Sequence, residues 1–449
     1  MWPSHQVRRV HAVVVSFKTR LVGSRGATAQ QAVGGGTLPE LHRLVRQLWG
    51  PLLHSDDYRV MINAVPDPGW LVQQRFRVVT SAQSPRLLVS AGPHRAVARA
   101  LLAYRGIRGT VPSLGRSILA AATTVRLPLT RNELTLERRI ESRVVNREPV
   151  SVLASLLNTE IVSIIGMRRG ANAKATLQMF TTDGDAVGYG KIAWNKITSE
   201  FVLREIETLE DIQGRLGSVR VPMVLAHDTL GSFPFLITSP LPARVQSVQN
   251  QLSITELADL APVQRLDLIR HSRQFLALEE RVNRSSDEGV LANLAGPARR
   301  LTQVLRSSDL ELPLSTRWHG DLVPWNAARD LDGTLWVWDW EMSEPDAAAG
   351  LDALHWRING QQDNSPSQLA SRLLAVLGPA ASDLRALGLG GKQVDLVAAL
   401  YALTVAERSM QYATEHGSWH HSRLQPLVVA DLLNVGLTLA VQGLERPLS

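Results

Sequence analysis

The segment WHGDLVPWNAARDLDGTLWVWDWE, from Trp318 to Glu341, limits what the rest of the chain can be. It reads as a loop between two short extended pieces, with His319-Gly320-Asp321 opening the loop and Asn326 closing it. Asp332-Gly333 is the kind of dipeptide that most strongly marks a tight hairpin, so the residues on either side are expected to pair as antiparallel strands. The returning stretch TLWVWDWE alternates strictly. A strand of period two would put Trp336, Trp338 and Trp340 on one face and Val337, Asp339 and Glu341 on the other. Asp321, Asn326 and Asp339 are then expected to converge at one end of the hairpin, with Glu341 beside Asp339. The three tryptophans are expected to be core rather than an aromatic cage.

Phosphoryl transfer is chemistry that needs this set. Nucleotide phosphates require a divalent metal held by hard oxygen ligands, which Asn and Asp supply. A hydroxyl acceptor needs a carboxylate to take its proton, and that role falls to Asp321. The spacing of Asp321 and Asn326 equals that of the kinase loop H-R-D-x-x-x-x-N, with Gly320 in place of the Arg. HGDLVPWN followed by WDWE resembles the aminoglycoside phosphotransferase and choline kinase-like group, a small-molecule branch of the protein-kinase-like fold. That group carries an HGDxxxxN loop and then a short Asp-x-Glu or Asp-x-Gly strand. The resemblance implies Asp321 as catalytic base, Asn326 and Asp339 as Mg2+ ligands, and ATP as phosphoryl donor. Asp352, in Leu351-Asp352-Ala353-Leu354, looks like the family's trailing Asp, which braces the catalytic loop. His319 and Glu341 are expected to support the same site.

Composition sets the frame around this motif. The chain has 449 residues, long for one core, so two or three domains are expected. It has no Cys, which excludes disulfides, zinc–thiolate sites and a thiol nucleophile but leaves the compartment open. Residues 1–150 hold 22 Lys+Arg against 8 Asp+Glu, a balance of +14, while the remainder stands at −7. A basic front favours an anionic partner. No basic-aromatic stacking pattern accompanies it, so nucleic acid is not expected. The first 39 residues carry no acid and show no convincing secretory signal. Residues 1–40 are expected to be a basic arm, and the protein cytoplasmic.

From 41 to 150 the pattern suggests a small basic α/β domain. YRVMINAV, FRVVT and RLLVSAG read as its strands, and helices are expected over 93–107 and 112–125. Residues 130–158 read as a helical connector into the next domain. Over 151–240, IVSIIG, ATLQMF, VGYGKIAW, PMVLAHDTL and FPFLITSP are expected to form a five-stranded antiparallel N-lobe. The small residues Gly166, Gly170 and Asn172, with Lys174, would let backbone close over phosphates. Only five Lys occur, and one of them, Lys191, lies in the third of these strands, where a kinase-like lobe places its phosphate-binding Lys. The next helix has the stripe Phe201, Glu205, Leu209, Ile212, which points Glu205 into an apolar face. A buried carboxylate needs a partner, and Lys191 is the expected one. By resemblance alone, Ile237 to Ser239 would be the hinge whose backbone meets the adenine.

Residues 241–449 are expected to form a mainly helical C-lobe, with helices over 262–282 and 295–308 before the catalytic loop. The last apolar segment, LQPLVVADLLNVGLTLAV, holds Asp431 and Asn434 and is expected to be a core helix rather than a membrane span. His355 and Trp356 suit a substrate pocket or core packing equally. A metal site at His416, His420 and His421 is not expected. The whole reads as α+β, a two-lobed kinase-like domain after a basic α/β module. Its expected activity is transfer of the ATP γ-phosphoryl group to the hydroxyl of an aminoglycoside, choline, sugar or amino-alcohol. A protein kinase is disfavoured because about a dozen residues separate Asp339 from Asp352, too few for an activation loop. The alternative is a catalytically silent scaffold that binds a partner through its basic front.

Overall fold

In the computed structural model the described residues are 13–14, 39–63, 65, 67–80, 85–104, 110–127, 132–143, 148–166, 174–248, 251–360, 368–419 and 424–445. The fold is mixed α+β and divides into two compact units. The first comprises Met1–Arg169, Ala173–Val202 and Val224–Ala243. The second comprises Gly170–Asn172, Leu203–Met223 and Arg244–Ser449.

Chain order in the front region is β1 (Val13–Val14), α1 (Pro39–Trp49), β2 (Tyr58–Ile62), β3 (Trp70–Thr80) and β4 (Pro85–Ser90). Next come α2 (His94–Leu102), α3 (Thr110–Thr124), β5 (Glu133–Arg139), α4 (Pro149–Leu156), β6 (Ile161–Gly166), β7 (Ala175–Thr181) and β8 (Ala186–Ile192). Helix α5 (Lys196–Ile212) continues from the first unit into the second. It is followed by β9 (Val219–Arg220), β10 (Val224–Leu230) and β11 (Phe233–Thr238).

The five expected strands do pair antiparallel, in the order β6-β7-β8-β11-β10, but they do not form a separate sheet. Strand β4 pairs with β6, matching Leu88 to Ile165, and the sheet runs on through β3, β5, β2 and β1 to ten strands. Val60, Phe76 and Leu134 from the front share one core with Leu177, Phe235 and Ile237 from behind. Ala96, Val97 and Leu101 of α2 pack on Val162, Ile164 and Phe180 of β6 and β7. The boundary expected near residue 150 is therefore corrected: the basic front extends this sheet and shares its core rather than folding as a small domain of its own. The physical reason is that the outer edge of β6 is filled by backbone hydrogen bonds to β4 instead of being left open.

A second correction falls on residues 130–158. The charged half, expected to be helix, is strand β5, which lies between β2 and β3 with Leu134 and Leu136 fully buried. Glu137 is also buried, where it accepts from Arg59 Nε at 2.7 Å and from the Thr135 hydroxyl at 3.1 Å. Hydrogen bonding along both edges outweighs the weak helix preference of Leu, Glu and Arg.

The second unit continues with β12 (Gln246–Ser247), α6 (Ile254–Leu260), β13 (Val263–Leu268), α7 (Arg273–Arg284) and α8 (Ala295–Arg306). Strands β14 (Glu311–Trp318), β15 (Ala327–Arg329), β16 (Leu335–Val337) and β17 (Glu344–Ala348) follow. Helices α9 (Leu351–Asn359), α10 (Leu369–Ala386), α11 (Gly391–His416) and α12 (Pro426–Glu445) close the chain. The helix expected over 262–282 is corrected in its first half, which is strand β13 paired with β14. Arg265 there is bonded to Asp346 through both terminal nitrogens, at 2.5 and 3.0 Å. By length and composition α12 is the one helix among the described residues long and apolar enough to cross a membrane. It packs instead of standing alone: Gly436 lies so close to Leu301 of α8 and Ala402 of α11 that an added Cβ would meet them at 2.8 and 3.0 Å.

Candidate active site

The segment from Trp318 to Glu341 lies wholly in the second unit, and its conformation departs from the expected strict alternation. Strands β15 and β16 form the hairpin, with Ala327 opposite Val337 and Gly333 at φ +82° in the turn. Asp330 holds that turn by accepting from the amides of Asp332 and Thr334. Strand β16 stops at Val337, however. Asp339 takes the left-handed conformation, φ 72° and ψ 51°, and residues 340–342 turn into a 3-10 helix. Trp336, Trp338 and Trp340 therefore do not share one strand face; only Trp340 is fully buried, with its ring centroid 4.4 Å from that of His319. A non-glycine residue held at positive φ costs roughly 1–3 kcal/mol and persists only where surrounding contacts enforce it. Here that turn swings Asp339 and Glu341 toward helix α5. One carboxylate oxygen from each of Glu205, Asp339 and Glu341 lies within 4.8 Å of the others.

The loop carrying Asp321 is held from below by its neighbours. Asp352, in the first turn of α9, accepts from the His319 N–H at 2.7 Å and the Gly320 N–H at 3.2 Å. A carboxylate at a helix N-terminus also meets the positive end of the helix dipole. His319 is fully buried, and desolvation pushes its imidazole below the ordinary value. Its Nδ1 accepts from the Asp321 N–H at 3.2 Å, so the proton sits on Nε2, 3.1 Å from the Trp338 carbonyl. A neutral ring in this tautomer bridges the Asp321 loop and the segment of Trp338 and Asp339.

Asn326 is buried, and its Nδ2 donates to both the Asp321 carbonyl and Asp321 Oδ2, each at 3.0 Å. The other carboxylate oxygen, Oδ1, is 3.4 Å from His355 Nε2. Asp321 remains the accessible acid, with a side chain 41% exposed. Burial raises the nearby Tyr412 phenol; Arg408 opposes the rise, and the Glu341 and Asp321 charges add to it.

Gly320 has no alternative. Its φ is +82°, and a Cβ there would lie 2.2 Å from the Met342 carbonyl oxygen. Gly320→Ala is expected to cost roughly 1–3 kcal/mol through backbone strain and overlap. Urea unfolding at unchanged slope is the check, and an unshifted midpoint contradicts the close approach.

Sequence reasoning missed Arg408 of α11. It donates to the Gly320 carbonyl at 2.6 Å and the Met342 carbonyl at 3.2 Å, and stacks over Trp318 at 4.7 Å. Beside it, Glu344 takes ion pairs from Arg281 at 3.0 Å and Arg408 at 3.6 Å, and Arg281 also reaches Glu407 at 3.2 Å. Burial pushes the Glu407 carboxyl up, against the pull of Arg281. No spacing in the sequence marks these residues, because they come from α7, β17 and α11.

Of the remaining expected site residues, Gly166, Lys174, Lys191, Ile237 and Ser239 belong to the first unit. Lys191 is half-buried on β8, where it faces Thr176 of β7 and Leu236 of β11 in the pairing. Gly166 ends β6 opposite Thr176, with room for a Cβ whose nearest contact would be 3.9 Å away. Lys174 is buried, its ammonium 5.0 Å from the Phe201 ring centroid, rather than standing out from a loop. Ile237 is a fully buried core side chain and Ser239 is nearly buried, so backbone groups are what that stretch offers. Gly170 and Asn172 lie outside the described residues, as do His420 and His421.

No protein-family model matches the sequence, and no curated protein matches it. Solved structures of small-molecule kinases are similar to it. Choline kinase LicA from Streptococcus pneumoniae is 15% identical at TM-score 0.40, over 65% of this chain and 96% of that one. A spectinomycin phosphotransferase, solved with ADP and spectinomycin, is 11% identical at TM-score 0.38, over 67% of this chain and 99% of that one.

Proposed function

We propose that the protein is a phosphotransferase that moves the γ-phosphoryl group of ATP to a hydroxyl of a small molecule. The observation that carries this reading is the second unit's pairing of an accessible, doubly tethered Asp321 with carboxylates gathered at Asp339, Glu341 and Glu205. A divalent cation held between three carboxylates so close would offset their mutual repulsion. Mg2+ takes oxygen ligands at 2.0–2.1 Å, so neighbouring ligands of its octahedron stand about 3 Å apart and opposite ones about 4 Å. A donor set confined within 4.8 Å fits that requirement with small side-chain shifts. Asp339 and Asn326 are the ligands proposed from the motif, and Glu341 and Glu205 join them on grounds of position. When bound, the metal would supply charge neutralisation on the transferring phosphate.

The chain's own residues do the rest. Asp321 orients the acceptor hydroxyl and takes its proton as the oxygen attacks phosphorus. Asn326 and His355 keep the carboxylate from rotating. Asp352, His319 and Arg408 keep the loop backbone from shifting, which matters because catalysis here is mostly positioning. Lys191 is proposed to bind phosphate oxygens, and the backbone of Ile237 to Ser239 to meet the adenine. Gly166, Gly170, Asn172 and Lys174 are proposed as the phosphate loop.

The test is a panel of choline, ethanolamine, kanamycin and glucose, each incubated with the protein and MgATP and scored for acceptor-dependent ADP. Turnover with at least one class is expected, lost on chelation and restored by Mg2+. Asp339→Asn is expected to raise the Mg2+ concentration for half-activity about ten-fold or more, since a charged carboxylate ligand is replaced by a neutral amide oxygen. A wild-type protein that neither binds nor consumes MgATP would favour the scaffold reading instead.

A further inference from the structure

We propose that His355 and Tyr401 form a positioning pair that sets the direction of the Asp321 carboxylate; this rests on the reading of Asp321 as the base. Helix α9 presents two side chains three residues apart, and such residues share a helix face. Asp352 grips the backbone of the loop, and His355 reaches the carboxylate that the loop carries. The His355 side chain is 13% exposed. Its Nδ1 is 2.9 Å from the Tyr401 hydroxyl, and the two rings lie 5.8 Å apart. Tyr401 is itself 1% exposed in the middle of α11, so its hydroxyl has a fixed place.

The chemistry of the chain follows from its fixed end. A Tyr401 hydroxyl donating to Nδ1 leaves the His355 proton on Nε2, which faces Asp321 Oδ1. Asn326 donates to Oδ2. Each carboxylate oxygen thus has one donor from a different element, α9 and the loop itself, and the plane of the carboxylate is defined. That leaves the remaining lone pairs, on the exposed side, for an acceptor hydroxyl. A base as exposed as Asp321 would otherwise rotate freely, and a small misplacement of a reacting group costs on the order of a hundred-fold in rate.

The experiment measures MgATP turnover with the best acceptor of the panel and with water alone, in wild type, His355→Ala, His355→Gln, Tyr401→Phe and His355→Ala/Tyr401→Phe. His355→Ala is expected to lower kcat roughly ten- to a hundred-fold with KM for MgATP changed less than about two-fold, because orientation and not binding is lost. His355→Gln, whose amide can still donate, is expected to regain about ten-fold of that loss. Tyr401→Phe is expected to lower kcat by about three- to ten-fold, and the double variant to be no worse than His355→Ala, since the two act in series. Unchanged kcat in His355→Ala, or losses that multiply in the double variant, overturns the pair while leaving the phosphotransferase reading intact. Wild-type protein inert toward MgATP overturns both. If His355→Ala does not fold, the Gln and Phe variants decide by the same comparison.

Discussion

Asp321→Asn is expected to lower acceptor-dependent ATP turnover by roughly a hundred- to ten-thousand-fold, the range over which a positioned general base contributes. The substitution is close to isosteric. An Asn carbonyl can still accept from Asn326 Nδ2, and its amide can turn toward His355 Nε2, which a shift of imidazole tautomer makes an acceptor. Folding should therefore be preserved, with the melting temperature within about 2 °C and MgADP binding by calorimetry unchanged. Activity that survives this substitution would remove Asp321 from the mechanism. Loss of nucleotide binding together with activity would mean that the residue holds the site together rather than acting on the acceptor.

Arg408→Met should have the largest effect on stability, about 3–5 kcal/mol. Arg408 is 15% exposed at its side chain and serves two backbone carbonyls, Gly320 of the Asp321 loop and Met342 just past Asp339 and Glu341. Met keeps much of the apolar stem that packs on Trp318 but supplies no donors. Both carbonyls then lose their partner, and Glu344 keeps only Arg281 among its guanidinium partners in this cluster. An unsatisfied buried group costs its full desolvation, which is why removing one member of such a network is worse than never having built it. Denaturant unfolding measures the loss. A change under about 1 kcal/mol would show that water replaces the guanidinium. Because both loops depend on the same guanidinium, turnover should also fall in the fraction that remains folded.

The meeting of Asp321 with Asn326 was legible in the sequence because it depends on short-range order. Asp321 and Asn326 sit five residues apart on one loop, and their side chains meet there. The Asp332-Gly333 turn sets the register of the hairpin locally, so β15 and β16 could be read as a pair. Helix α5 could be read from its stripe, and Phe201, Glu205, Leu209 and Ile212 are indeed all buried. The line from Trp336 to Glu341 misled for an equally physical reason. Alternation of aromatic and acidic residues satisfies a strand, but Asp339 turns left-handed between two carbonyls, of Trp338 and Met342, that are bonded by the distant His319 and Arg408, and these leave no trace in the local pattern.

What the sequence determined alone is which side chains can take a proton or hold a cation, and their order along the chain, since both follow from residue type and short spacing. What only the tertiary structure decided is which of them meet. Glu205 stands beside Asp339 and Glu341, Arg408 ties two loops, and His355 faces Asp321 across a gap of 34 residues. The ten-stranded sheet belongs to the same class, because an edge strand such as β6 has backbone donors and acceptors that accept almost any partner, and the choice of β4 is made by the shared core beneath them.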